Sequence, residues 1–254
     1  MAGTTQEISI KEILRFPFQS QDWQKKFILG SLMVFANSLI PFVPLLLLGG
    51  YYLSIMKKTL FDEELALPAW EDWESYLKDG LRGLAVYFVY FLPSMIVGFL
   101  GMLIYFGFLF IFSLESNALY EPGLVIGLWV FMGLMFLCIA LSMLFGVLGS
   151  IPTPLATARM LKEDRLTAAF ELRTLLQILH ANRWGFAVAW IVSIGLLGSF
   201  YFFFMIIYSS MILCCLLPIL SAPIIFYIGS VTSALFGATY QESLALLEDQ
   251  RIDA

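Results

Sequence analysis

The sequence has few charged residues, few cysteines and a single histidine, and each shortage excludes a class of protein. Charged residues make up 13% of the chain, about half the usual ~25%, whereas apolar and aromatic residues make up 60%. Three cysteines in 254 residues are too few for a disulfide scaffold. A net charge of −5 argues against the basic surface that nucleic-acid binding requires. The composition indicates a membrane protein, because so few polar side chains cannot cover a surface in water.

Uncharged segments long enough to cross a bilayer recur along the chain. A helix needs about 20 apolar residues to span the ~30 Å hydrocarbon core. The segments without Asp, Glu, Lys or Arg are Phe27–Met56, Gly83–Leu114, Pro122–Ala158, Trp184–Tyr208 and Ser209–Tyr240. The sequence therefore predicts an all-α, polytopic membrane protein with about six hydrophobic helices.

Two prolines interrupt the first segment. Pro41 and Pro44 follow Asn37 and Ser38, and prolines three residues apart remove backbone donors and break a straight helix. We therefore expect a short hairpin over 27–57, with helices at 27–39 and 43–57, in place of one crossing. The four complete spans are then expected at 83–114, 122–149, 184–208 and 211–237.

The basic residues give an independent prediction of topology, because Lys and Arg in short loops stay on the cytoplasmic side. If the first segment is a hairpin, all fourteen basic residues fall on that side. They then occupy an interfacial arm at 1–26, the end of the hairpin at Lys57, connectors at 58–82 and 150–183, and a tail at 238–254. We expect one integral domain in the cytoplasmic (inner) membrane, with both termini in the cytoplasm.

The first connector has the pattern of a short helix lying at the membrane surface. Trp70, Trp73 and Leu77 share one helical face, and Gly80 is a typical helix stop. We interpret Trp70 and Trp73, together with Trp23 in the arm, as interfacial anchors. The alternative is that the tryptophans form a ligand cage.

The second connector is amphipathic from about residue 155 to residue 182. One face carries Leu166, Ala169, Phe170, Leu176 and Leu179. The pattern fits either an interfacial helix or a docking surface. An acidic run in the first connector likewise fits a solvated face or a docking site for a basic partner. The candidate docking residues are Asp62, Glu63, Glu64, Phe170 and Leu176.

Several short motifs in the first part of the chain resemble a known family. They are Gly49-Gly50-Tyr51-Tyr52, Leu67-Pro68-x-Trp70-x-x-Trp73, Asp79-Gly80 and Leu92-Pro93. Together they resemble the prokaryotic membrane family named domain of unknown function 4013, most strongly over residues 22–100. The resemblance implies a multispanning membrane protein and carries no reaction, substrate or ligand.

Groups that could support catalysis are scarce. The single histidine, His180, lies in a connector, which argues against a Ser-His site in the bilayer and against a His-rich metal site. Cys214 and Cys215 are adjacent, so they are poorly placed to bind one metal together. The apolar segments carry no ionisable side chain of the kind used in proton-coupled transport. We expect no enzyme activity, no cofactor and no metal.

The interrupted hairpin is the best candidate for a ligand site, since broken helices direct free backbone groups at ligands in transporters. Asn37 and Ser38, with Pro41 and Pro44, are the candidate site residues; the alternative is a plain turn. Two functions follow. The first is a scaffold or accessory subunit with protein partners in a membrane complex. The second is a carrier or pore for an uncharged or lipid-like solute. The lipid bilayer is a partner in both, and the sequence leaves open whether the protein forms homo-oligomers.

Overall fold

The computed structural model describes residues 9–20, 22–61, 63–114, 122–209 and 216–252. Across these ranges the regular structure is helical and contains no strand, which confirms the all-α prediction. The α-helices are α1 (Ile10–Arg15), α2 (Trp23–Asn37), α3 (Val43–Leu60), α4 (Trp73–Leu114), α5 (Pro122–Ser150), α6 (Thr153–Glu163), α7 (Leu172–Ala181), α8 (Arg183–Ser209) and α9 (Leu217–Ile252). Two short 3-10 helices cover Phe16–Phe18 and Leu166–Phe170.

Four of these helices, α4, α5, α8 and α9, are long and apolar enough to cross a membrane. The chain divides into two compact units. We call Met1–Val86 with Pro154–Ala254 the α9 unit, and Tyr87–Thr153 the α4–α5 unit. The α4 helix contributes its first residues to the α9 unit and the rest to the α4–α5 unit.

The α9 unit is organised around its last helix. α9 contacts α1, α2, α3, α7 and α8. Glycines make the close approach to α3 feasible, because a Cβ atom at Gly229 would overlap the ring of Tyr52, and one at Gly237 would overlap Thr59. Phe226 is fully buried beside the ring of Tyr51, at 5.6 Å between centroids. α9 is thus a core helix of this unit, although its composition also suits a membrane span.

α6 is buried on every side although it carries an arginine. All residues from Leu155 to Leu161 are buried, and the side chain of Arg159 is only 7% exposed. Its guanidinium pairs with Glu163, at 2.9 Å, and with Glu171. Lys162 donates a hydrogen bond to the Leu60 carbonyl at 2.8 Å, which ties α6 to the end of α3. Charge compensation therefore allows a polar segment to enter the core.

The second connector is not the single amphipathic segment that the pattern suggested. It breaks after α6 at Asp164, whose φ angle is +48°, continues as the 3-10 helix and resumes as α7. The break changes the phase of the pattern, so Ala169 is buried whereas Leu176 is exposed. The single apolar face predicted across this break is therefore not present in the folded protein.

The first connector also differs from the expectation. The predicted short helix ending at Gly80 is absent, since α4 begins at Trp73 and runs through Gly80 to Leu114. Gly80 instead lies against the Leu46 carbonyl, where a Cβ atom would overlap the oxygen. The glycine serves close helix packing rather than helix termination. At the other end of the chain, α9 continues to Ile252 through most of the predicted tail.

The α4–α5 unit is a helical hairpin with a narrow seam. The hydroxyl of Ser94 donates to the Ser142 carbonyl at 2.7 Å, and the hydroxyl of Ser142 donates to the Ser94 carbonyl at 2.8 Å. Phe108 and Phe131 stack at 4.4 Å between centroids. In α5 the one buried residue is Gly149, which lies against the Tyr90 carbonyl. Most of the apolar surface of the unit therefore faces outward.

Candidate functional site

A cavity of about 280 Å³ lies between α2, α3 and α9, within the α9 unit. Within each helix, most lining residues are three, four or seven positions apart, which places them on one face. The lining residues are Val34, Asn37, Ser38, Leu45, Leu48, Gly49, Tyr52, Pro218, Ser221 and Ile225. The cavity therefore includes two residues of the interrupted hairpin that the sequence proposes for a ligand site.

Two polar atoms of this cavity's side chains lack a partner. The Oδ1 atom of Asn37 and the hydroxyl of Tyr52 are buried, and neither has a hydrogen-bond partner among the described residues. A buried polar group left unpaired costs about 1–3 kcal/mol. None of the lining residues is Asp, Glu, Lys, Arg or His. The cavity lining is therefore mostly apolar and carries no charged side chain.

The turn of the hairpin fixes the position of Asn37. α2 ends at this residue, and the Ser38 amide donates to the Phe35 carbonyl at 3.0 Å. Phe42 then adopts a φ angle of +83° and turns the chain back into α3. Pro44 lies in the first turn of α3, where its fixed φ angle suits a helix start. The prolines thus shape the hairpin but do not line the cavity.

Tyr52 belongs to the site, although sequence reasoning did not select it. It lies on α3 with its ring against Gly229 of α9. One signal was present, since Leu45, Leu48, Gly49 and Tyr52 follow the helical spacing of a single face. Only the contact with α9 shows that this face borders a cavity.

The structure places the three tryptophans in different surroundings. Trp70 is only 7% exposed, stacks on Tyr51 at 4.1 Å and donates from Nε1 to the Lys26 carbonyl at 3.0 Å. It is a core residue, which differs from its interpretation as an interfacial anchor, because the loop before α4 folds back over α3. Trp73 is exposed and Trp23 is half-buried, so the surfaces of both remain accessible.

The cavity residues of two of its three helices lie in a region that matches a known protein family. The family described as "Protein of unknown function (DUF4013)" matches residues 32–216. The chain belongs to this family. The match covers the α2 and α3 residues of the cavity from Val34 onward and stops before α9, which supplies the third wall. No curated protein and no solved structure matches the chain.

This DUF4013 protein also exposes apolar side chains on its second connector. We call Leu166, Phe170, Leu172 and Leu176 the connector strip; their exposures lie between 37% and 59%. The opposite side of α7 packs inside the protein, since Leu175 and Ile178 are buried. Of the acidic candidates, Glu63 and Glu64 are exposed, and Asp62 lies outside the described residues.

A charged contact holds the break between α6 and the 3-10 helix. Arg82 donates to a carboxylate oxygen of Asp164 at 2.7 Å. The hydrogen bond and the positive charge of Arg82 lower the pKa of the Asp164 carboxyl below its ordinary value. This contact joins the start of α4 to the second connector. Sequence reasoning found neither this pair nor the Arg159 pairs. Arg159 and Glu163 have the i,i+4 spacing of a helical ion pair, whereas the Arg82–Asp164 and Arg159–Glu171 contacts cannot be read from local spacing.

Proposed function

We propose that the protein is a non-enzymatic scaffold or accessory subunit of a membrane complex, and that the connector strip docks a partner protein. The exposure of this strip is the observation that carries the proposal. Large apolar side chains grouped on a surface mark interaction sites. The strip lies outside the four long apolar helices and is interleaved with Arg165, Glu171 and Arg173, so the hydrocarbon core of a bilayer does not account for it.

The contacts of α7 support a docking role. This helix has two apolar sides, and the chain itself covers only the side that carries Leu175 and Ile178. Leu172 and Leu176, one turn apart on the other side, are the most exposed members of the strip. Apolar anchors one turn apart are what a helix presents when it packs against another protein.

The acidic residues of the first connector favour a partner with a basic surface. Glu63 and Glu64 are exposed, and neither forms an ion pair among the described residues. Charged groups around an interface chiefly set the association rate and the choice of partner. We expect a partner that offers apolar side chains to the strip and Lys or Arg to this loop.

Native mass spectrometry of the complex tests this proposal. The protein is extracted from its native membrane in mild detergent, and the intact particle is weighed. We expect additional protein mass, which the double substitution Leu172→Ser with Leu176→Ser removes. Leu137→Ser, at an exposed position of α5, is the matched control and is expected to retain the additional mass.

Two results would contradict the proposal. One is a protein that purifies without a partner under these conditions. The other is a partner that stays bound when both Leu172 and Leu176 are replaced, because the strip would then face lipid or solvent.

Glu63→Gln with Glu64→Gln should leave the complex intact and slow its formation at low salt.

A second candidate function is a carrier or pore for an uncharged or lipid-like solute. The uncharged cavity beside the interrupted hairpin favours it. Flux through reconstituted liposomes is the test, and Asn37→Ala with Ser38→Ala is expected to change the flux. A broad solute screen without any flux would remove this candidate.

A further inference from the structure

Three basic side chains surround Asp164 at the break after α6. The nearest is Arg82 of α4, which donates to a carboxylate oxygen of Asp164 at 2.7 Å. This hydrogen bond makes the largest contribution to the lowered pKa of Asp164, and the positive charges of Lys57 and Lys78 lower that pKa further. We call Lys57, Lys78 and Arg82 the basic patch. All three belong to the α9 unit.

The packing of α3 against α4 accounts for the position of the basic patch. A Cβ atom at Gly83 would lie 2.7 Å from Cδ1 of Leu53, so the two helices touch at this level. Lys57 follows Leu53 by one turn on the same face of α3, and Arg82 directly precedes Gly83 in α4. Lys78 lies one turn before Arg82 on the same face of α4. Helix geometry and electrostatics thus place the patch in the same part of the surface.

The basic patch carries more positive charge than the neighbouring carboxylates neutralise. Arg82 faces two of them, Asp164 and, at 3.8 Å, Asp79. Lys57 and Lys78 are exposed, and neither forms an ion pair in the part of the chain that the structure describes. Each lysine offers three hydrogen-bond donors. The surface beside Asp164 therefore has positive charge and donors left for a further anionic group.

The basic patch lies where α4 changes from polar to apolar. α4 is long and apolar enough to cross a membrane, and it carries no charged residue after Arg82. When α4 spans a bilayer, Lys78 and Arg82 lie near the lipid headgroups, where basic side chains attract anionic lipids. Leu81 and Leu84 are exposed on either side of this boundary. They offer the acyl chains of a lipid an apolar surface next to the patch.

We propose that the basic patch binds the phosphate headgroup of an anionic phospholipid, whose acyl chains lie along α4. The exposed leucines favour a membrane lipid over soluble phosphate, because a free anion gains nothing from an apolar surface. The proposal involves neither the connector strip nor the cavity between α2, α3 and α9. Protein without a partner should therefore still bind the lipid, and a failure to bind lipid would leave the docking proposal unaffected.

Lipid binding to the full-length protein, purified in detergent, tests the proposal. Phosphatidylglycerol and phosphatidylcholine with identical acyl chains are each added in a concentration series, and native mass spectrometry gives the fraction of protein that carries each lipid. One basic side chain near the headgroups strengthens the attraction of an anionic lipid about fivefold, so we expect phosphatidylglycerol to bind at least about 10-fold more tightly. Equal affinities for the two lipids would overturn the proposal.

Two double variants locate the binding. Lys57→Gln with Lys78→Gln removes two charges of the patch and is expected to weaken phosphatidylglycerol binding about 10-fold. Lys11→Gln with Lys25→Gln makes the same chemical change at exposed positions of α1 and α2 and should leave the binding unchanged. Full binding by the first variant, or an equal loss in both, would overturn the proposal.

Asp164→Asn gives a result that a purely structural role of the basic patch would not produce. The substitution removes a carboxylate that competes with the lipid for the patch. It is therefore expected to strengthen phosphatidylglycerol binding about 2- to 5-fold and to leave phosphatidylcholine binding unchanged. A variant that binds phosphatidylglycerol no better than the unmodified protein would contradict the proposed position of the headgroup.

Inorganic phosphate distinguishes a membrane lipid from a soluble anion. A large molar excess of phosphate should displace no more phosphatidylglycerol than chloride at the same ionic strength, because both salts screen charge alike and neither carries acyl chains. Displacement by phosphate beyond that of chloride would show that the patch selects a soluble anion, and it would overturn the assignment to a lipid.

Discussion

α5 and α6 are consecutive helices that differ in both hydropathy and burial. The more apolar helix, α5, is mostly unburied, whereas the more polar helix, α6, is mostly buried. α5 carries no charged residue, and only Gly149 is buried. α6 carries Arg159, Lys162 and Glu163, and it is buried from Leu155 to Leu161. Apolar composition therefore measures the suitability of a helix for lipid, whereas burial depends on contacts with other helices.

The physical reason lies in the solvent of each segment. In a bilayer, lipid tails are as apolar as leucine, so an apolar surface gains little by packing inside the protein. Small residues and hydrogen bonds then determine which helices associate, as Ser94 and Ser142 do between α4 and α5. In the α9 unit, Glu163 and Glu171 compensate the charge of the buried Arg159 guanidinium.

Removing the partners of the buried arginine should have the largest effect on stability. Glu163→Ala with Glu171→Ala leaves the buried Arg159 guanidinium without its carboxylate partners, and an unpaired buried charge costs about 3–5 kcal/mol. At about 2–4 °C per kcal/mol, we expect the melting temperature in mild detergent to fall by at least about 6 °C. Arg165→Met, at an exposed position that also pairs with Glu163, is the control and should change it little. An equal loss in both variants would show that burial of Arg159 does not matter.

Two glycines of α4 sharpen the contrast between the units. A Cβ atom at Gly80 would overlap the Leu46 carbonyl, whereas one at Gly107 would meet no atom within 4 Å. Gly80→Ala should therefore destabilise the protein by about 1–3 kcal/mol, the usual cost of overpacking. Gly107→Ala should stabilise it by up to about 1 kcal/mol, because alanine is the better helix former. Thermal unfolding measures both; a loss at Gly107 would mean that this surface is packed.

The seam of the α4–α5 unit should contribute less. Interhelical hydrogen bonds in membranes average about 0.6 kcal/mol, so Ser94→Ala with Ser142→Ala should cost about 1 kcal/mol. The matched control is Ser199→Ala in α8, where the hydroxyl donates to Gly195 of the same helix. Urea or SDS titration of the three proteins tests this, and a loss of 3 kcal/mol or more would show that the seam holds the unit together.

The sequence is sufficient to predict features that depend on local composition. It does not predict features that depend on contacts between residues far apart in the chain. The long apolar helices and the hairpin at Pro41 and Pro44 follow from the segments themselves. Trp70 illustrates the limit, since its helical spacing suggested a surface anchor and its contact with Tyr51 places it in the core. Arg159 and Tyr52 show the same limit, because Arg159 pairs with Glu171 beyond the break and Tyr52 lies against Gly229 of α9.

The contact between Arg82 and Asp164 should have the smallest effect, because the Asp164 side chain is exposed. Its lowered pKa means that the contact stabilises the fold above the ordinary pKa of an aspartate. This stabilisation is lost as the pH falls through the lowered pKa. Asp164→Asn should therefore melt slightly below the unmodified protein at pH 7 and together with it once the pH lies below the lowered pKa.

Asp164→Ala separates charge from backbone strain at the same residue. Asparagine tolerates the φ angle of +48°, whereas alanine does not. The alanine variant should therefore remain less stable at both pH values, while the asparagine variant loses its difference at low pH. If Asp164→Asn already melts together with the unmodified protein at pH 7 while Asp164→Ala remains less stable, the conformation of the break matters and its charge does not. The second connector would then hold its shape through its backbone, in contrast to the charge-paired α6 that precedes it.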